Sequence, residues 1–131
     1  MLSEKSLDNF SVWTDSIAFV KEMYVLTNIF PEEEKRGLVP KLRNAAIEIA
    51  TKISKSLSNL KAKKEDDYLL QAIDLINEIE TLLTIAKELS YISSDDLERY
   101  KTKTEDLGMQ LFNLSRKLNR DREIKEAQNK F

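Results

Sequence analysis

The chemistry available to this chain rests on lysine, arginine and carboxylates, because it contains neither cysteine nor histidine. That excludes disulfides, thiolate nucleophiles, zinc fingers and Ser-His-Asp or Cys-His triads, each of which needs a sulfur or an imidazole. It equally excludes the Glu-x-x-His ligands of di-iron helical bundles. What remains is charge, and the charge is segregated. Residues 35–64 carry nine basic side chains (Lys35, Arg36, Lys41, Arg43, Lys52, Lys55, Lys61, Lys63 and Lys64) against one acid, Glu48. Residues 65–100 carry ten acids against two bases, and residues 1–34 seven acids against two. The whole chain nets only −2.

A block of cations attracts a phosphate backbone and releases its counterions. Lys41, Lys52 and Lys55 fall on one flank of a helix and are the candidate nucleic-acid-binding residues. A purely structural reading competes: the basic segment pairs with the acidic one after it, and opposite charges steer the hairpin. No aromatic residue is interleaved within the block, unlike the aromatic platforms of single-strand binders.

Carboxylates offer less. Asp74 and Glu78 lie one turn apart but point away from the apolar stripe. Glu123 and Glu126 have the Glu-x-x-Glu spacing of all-α nucleotide pyrophosphatases, yet no second pair faces them to complete a Mg²⁺ site. No catalytic residue, metal ligand or cofactor is therefore assigned, and no enzyme is expected. Glu80 differs, since it follows Ile73 by one heptad and so borders the core. A carboxylate there needs a partner, and Arg43 is the expected one.

The elements that position these groups are helices. Apolar spacing reads helix throughout, and two Gly and two Pro are too few for a β-sandwich or a glycine-rich phosphate loop. Trp13, Ile17, Val20 and Tyr24 mark a first helix, capped by Asn9 or Ser11 and stopped before Pro31. Pro31 to Glu34 forms an isolated turn, and Gly37 breaks the chain again. Leu38, Leu42, Ala45, Ile49, Ile53, Leu57 and Leu60 mark a second helix, with Pro40 tolerated in its first turn. Lys61 to Asp67 is the polar connection. The third helix, capped by Asp66 or Asp67, carries Leu69, Ala72, Ile73, Ile76, Ile79, Leu83 and Ala86. Ser93 and Asp96 resemble a capping box before the fourth helix, whose seam is Leu97, Tyr100, Thr104, Leu107, Leu111, Leu114 and Leu118. The expected architecture is an all-α, antiparallel up-down-up-down four-helix bundle over residues 1–120. Residues 121–131 form a polar tail or a helical extension.

Two helices carry a second apolar face. Val12, Phe19, Met23, Leu26 and Phe30 lie roughly 100° round the first helix from the Trp13–Tyr24 stripe. Leu75, Leu82, Ile85 and Leu89 repeat this on the third. A single axial core leaves such faces over, and a contiguous apolar strip marks an interface. These nine residues are the expected homo-oligomer interface.

Several landmarks together resemble a known family. Phe10-x-Val12-Trp13 opens the first helix and Phe30-Pro31-x-Glu33-Glu34 closes it. Leu42-Arg43-x-Ala45-Ala46-x-x-Ile49 begins the second, and Glu78-x-Glu80-Thr81 leads to Ala86-x-x-Leu89-x-Tyr91-Ile92-Ser93. Their order and spacing over residues 9–118 resemble the bacterial four-helix proteins of intervening sequences in 23S rRNA genes, often labelled ribosomal proteins. They also resemble the accessory variability protein of diversity-generating retroelements. The resemblance implies a non-enzymatic homopentamer associated with RNA or nucleoprotein. Where that family reads Ser-Ile-Pro-Ser-Asn-Ile-Ala-Glu-Gly, this chain has Glu48-Ile49-Ala50-Thr51-Lys52-Ile53-Ser54-Lys55-Ser56, so its second helix should run unbroken.

The expected function is thus a cytoplasmic, non-catalytic oligomeric binding or scaffold protein. Its expected partners are itself and RNA or a nucleic-acid enzyme, with no membrane and no small-molecule substrate. The alternative is a structural or protein-interaction module without nucleic-acid affinity. A Mg²⁺-dependent phosphohydrolase stands a distant third.

Overall fold

The computed structural model describes residues 7–58 and 65–129, with side chains for residues 11–58 and 68–129. Four α-helices fill it: α1 (Leu7–Thr27), α2 (Leu38–Ser58), α3 (Glu65–Glu88) and α4 (Ser94–Asn129). No strand occurs among the described residues. Each helix packs on its sequence neighbour, and α4 returns to pack on α1. The four helices therefore share one apolar core, the arrangement of a four-helix bundle.

Local chemistry accounts for most boundaries. Pro31, extended at φ −66° and ψ 157°, starts a single 3-10 turn over Glu32–Glu34. The capping box before α4 forms: Asp96 N–H donates to Ser93 Oγ at 3.0 Å, and Ser93 N–H donates to an Asp96 carboxylate oxygen at 3.5 Å. As expected from the missing Pro, Asn and Gly, α2 runs without interruption to Ser58. Two boundaries, at the starts of α1 and α3, depart from expectation. α1 already begins at Leu7, so Asn9 and Ser11 lie inside it and do not cap it. α3 begins at Glu65, ahead of Asp66 and Asp67. Residues past Arg120 continue α4 to Asn129 as a helical extension. Leu60, Lys61, Lys63 and Lys64 lie outside the described residues.

α3 stops without a glycine. Ser90 adopts a left-handed φ of 64°. Tyr91 N–H then donates to Ala86 O and Ser90 N–H to Lys87 O, both at 2.9 Å, which is the hydrogen-bond pair of a Schellman stop.

The core takes the expected stripes of α2, α3 and α4, with Leu42, Ile53, Leu69, Ile79, Leu83 and Leu111 among its most enclosed side chains. On α1 the expectation reverses. Val12, Phe19, Met23, Leu26 and Phe30, expected at an interface between subunits, are buried inside this one. Leu82 of α3 is buried with them, and Leu75 packs partly against the core. Only Ile85 and Leu89 of the nine stay exposed. The stripe expected inside lies outside: Ile17 and Tyr24 are 46% and 40% exposed, and Trp13 and Val20 are only partly buried at the core's edge. The reason is chemical as well as geometric. The large residues of the buried stripe have no polar tip, and Ser16 and Thr27 buried beside them spend their hydroxyl protons on backbone carbonyls, whereas Trp13 and Tyr24 each have a polar tip that favours the rim.

Candidate nucleic-acid interface

The lysine flank of α2 is open. Lys41 and Lys55 are exposed and Lys52 is half-buried. Among the described side chains, ion pairs join Lys35 to Glu32, Lys87 to Glu88, Arg99 to Asp96 and Lys103 to Glu22, and none of these four joins α2 to α3. Packing between these two helices is apolar, built on residues such as Ile49, Ile53, Leu69, Ala72 and Ile76.

The structure adds an aromatic residue that the linear block lacks. Tyr68, in the first turn of α3, is half-buried beside the last two turns of α2. Lys52 Nζ and Lys55 Nζ lie 5.8 and 5.9 Å from its ring centroid, near the outer limit of cation–π attraction. Tyr68 stands only four residues beyond Lys64 in sequence, and folding α3 back along α2 carries it to the lysines. Pairing the two helices before scanning for aromatics would have found it. Among the α3 acids whose side chains are described, Asp74 and Glu78 are exposed and lie roughly 80–120° round the helix from Tyr68 at 100° per residue.

The expected Arg43–Glu80 pair does not form. Arg43 Nε donates to Thr27 Oγ1 at 2.8 Å, and its Nη2 donates to Asn28 Oδ1 at 3.2 Å and to Tyr24 O at 3.4 Å. Its guanidinium carbon sits 4.4 Å from the Tyr24 ring centroid. Thr27 is buried and passes its own proton to Met23 O at 2.7 Å. Arg43 thus closes the end of α1 against the start of α2, because its planar fork matches several acceptors at once. Glu80 turns instead to α4 and accepts a 2.8 Å hydrogen bond from Thr104. Thr104 lies in the expected seam of α4, fully buried, so a polar seam residue was the missed signal.

The other landmarks of the sequence meet at the same end of the fold. Glu34 Oε1 accepts the first amide of α2, Leu38 N–H, at 3.1 Å. Glu34 Oε2 accepts the Tyr91 hydroxyl at 2.9 Å, and the Tyr91 ring tilts against Phe30 with centroids 5.5 Å apart. These residues fasten the α1–α2 and α3–α4 connections to each other.

No group of three or more candidate metal ligands occurs among the described residues. Comparison with curated proteins yields no match. Comparison with family models matches residues 8–113 to the family described as 23S rRNA-intervening sequence protein. The match spans α1 through the middle of α4, including the Glu34–Tyr91 clasp, the Arg43 fork and the lysine flank. Over most of its length, therefore, the chain belongs to the 23S rRNA-intervening sequence protein family.

Proposed function

We propose that the protein is a non-enzymatic, oligomeric binding or scaffold protein that associates with RNA through the lysine flank of α2. The observation that carries this reading is the arrangement of Lys41, Lys52, Lys55 and Tyr68, in which no described carboxylate pairs with the lysines. Cations free of carboxylates can take phosphates, and a ring between two of them offers a face on which a base stacks. Membership of a family tied by name to an rRNA insertion favours RNA over other polyanions. The resemblance to retroelement accessory proteins favours a nucleoprotein setting. Tyr68→Phe should retain affinity for a single-stranded oligouridine, while Tyr68→Ala should lose about fivefold or more. Equal affinity of all three proteins would remove the ring from the site.

The fold proposed for this role is an antiparallel up-down-up-down bundle. The cross-helix register supports it, since Lys103 meets Glu22 and Gln110 meets Asp15. Moving seven residues forward on α4 moves seven backward on α1. Self-association is supported by the apolar side chains left outside, namely Ile17, Tyr24 and Val25 on α1, Ile29 just past it, Ile85 on α3 and Leu89 just past that helix. A homopentamer is the assembly that the family resemblance implies. None of the described helices is long and apolar enough to cross a membrane, which accords with the cytoplasm as the proposed site of action. Native mass spectrometry should give a multiple of the 15.2 kDa chain. A monomer at micromolar concentration would overturn the assembly.

A further inference from the structure

A cleft of about 400 Å³ opens between α3 and α4, away from the lysine flank. Half-buried Leu97 gives it an apolar wall, and Glu80 stands beside it. Glu80 is half-buried, and the Thr104 hydroxyl shares its one proton between Glu80 Oε1 at 2.8 Å and Lys101 O at 2.9 Å. That contact orients the carboxylate without neutralising it. None of the ion pairs among the described residues involves Glu80. Lys101 lines the same cleft but is exposed and forms no ion pair with it.

The neighbouring polar groups reinforce the demand for a donor. Thr81 and Thr84 also line the cleft, and each uses its only hydroxyl proton on a backbone carbonyl. Thr81 Oγ1 donates to Asn77 O at 3.1 Å and Thr84 Oγ1 to Glu80 O at 2.8 Å. Both hydroxyls can therefore offer a ligand lone pairs alone. Asn77 also lines the cleft, and the oxygen of its amide can accept. A carboxylate and several acceptors above an apolar lining suit a planar group with many N–H donors on an aliphatic stem.

We propose that this cleft receives the guanidinium of an arginine side chain from a partner protein. The arginine stem lies on Leu97, and the guanidinium pairs with Glu80 while Thr81, Thr84 and Asn77 accept its remaining N–H groups. A charge held partly out of water gains most from such a bidentate partner.

The probe is a capped Gly-Arg-Gly tripeptide, titrated into the full-length protein and followed by amide chemical shifts. Saturable shifts at Thr81, Thr84 and Thr104 are expected, with a capped Gly-citrulline-Gly control giving none. Glu80→Gln keeps an acceptor for Thr104 and should weaken arginine binding by about tenfold or more, with an unchanged circular dichroism spectrum reporting an intact fold. Equal binding of the citrulline peptide, or full affinity in Glu80→Gln, would overturn the assignment. So would a response to arginine confined to residues outside the cleft.

Discussion

The hydroxyl of Tyr91 donates a 2.9 Å hydrogen bond to Oε2 of Glu34 across 57 residues of sequence. The other oxygen of the same carboxylate holds Leu38 N–H, the first amide of α2. One side chain thus fastens the connection between α3 and α4 to the start of α2. Such a bond to a charged acceptor is stronger than a neutral one, and it acts between segments that share no helix.

Its pH dependence has a defined sign. The hydrogen bond to Glu34 raises the Tyr91 phenol above its ordinary 10.0, with further contributions from burial and the charges of Glu34 and Glu33. The folded state therefore favours the neutral phenol. The stabilisation is fully present below pH 10.0 and is lost as pH rises through the higher folded value. Urea midpoints of the parent and of Tyr91→Phe should differ by a constant amount from neutrality to about pH 9 and converge at higher pH. Parallel curves across the alkaline range would contradict the clasp.

Gly37 belongs to the same junction through close approach. A Cβ there would stand 2.5 Å from Glu34 Oε1, the oxygen already engaged by Leu38 N–H. Gly37→Ala should cost about 1–3 kcal/mol by displacing that carboxylate. In a Glu34→Ala background the same change should be neutral or slightly stabilising. Additive effects in the double mutant, measured by denaturant unfolding, would show that the contact is not the cause.

The two faces of α1 make opposite predictions. Phe19 is 2% exposed and Ile17 is 46% exposed. Phe19→Ala should cost about 3–5 kcal/mol by opening a core cavity. Ile17→Glu should leave subunit unfolding within about 0.5 kcal/mol and instead lower the assembly state. A large unfolding cost for Ile17→Glu without a change in oligomer size would reverse the faces.

Arg43 should resist replacement by lysine. A lysine cannot reach Thr27 and Asn28 together while lying over Tyr24, so Arg43→Lys should lose most of what Arg43→Ala loses, about 1–2 kcal/mol. A double-mutant cycle should couple Arg43 to Thr27 and not to Glu80. Coupling to Glu80 of similar size would restore the pairing that charge alone suggested.

What could be read in the sequence was local. Pro31, the Ser93–Asp96 box and the three-four spacing from Leu97 to Leu118 act within a few residues, so their structural consequences follow directly. The contacts that escaped are set by tertiary packing. Tyr91 reaches Glu34, Tyr68 returns to Lys52 and Lys55, and Glu80 finds Thr104 only once the helices are paired. α1 carries two stripes of comparable apolar content, so periodicity could not rank them. The polar tips of Trp13 and Tyr24 were the cue that could have done so. The stop of α3 at Ser90 carried no glycine to announce it.

The lysine flank is tested most directly by a salt series of RNA binding with the parent and a Lys41→Glu, Lys52→Glu, Lys55→Glu triple variant. Three lysine–phosphate contacts release counterions, so the logarithm of the parent's association constant should fall with log salt at a slope of about −2 per engaged subunit on a single strand. The triple variant, folded by circular dichroism, should show no retention of RNA at low salt. A parent that fails to retain RNA even at low salt, or a triple variant that binds with the parent's affinity and slope, would contradict the account.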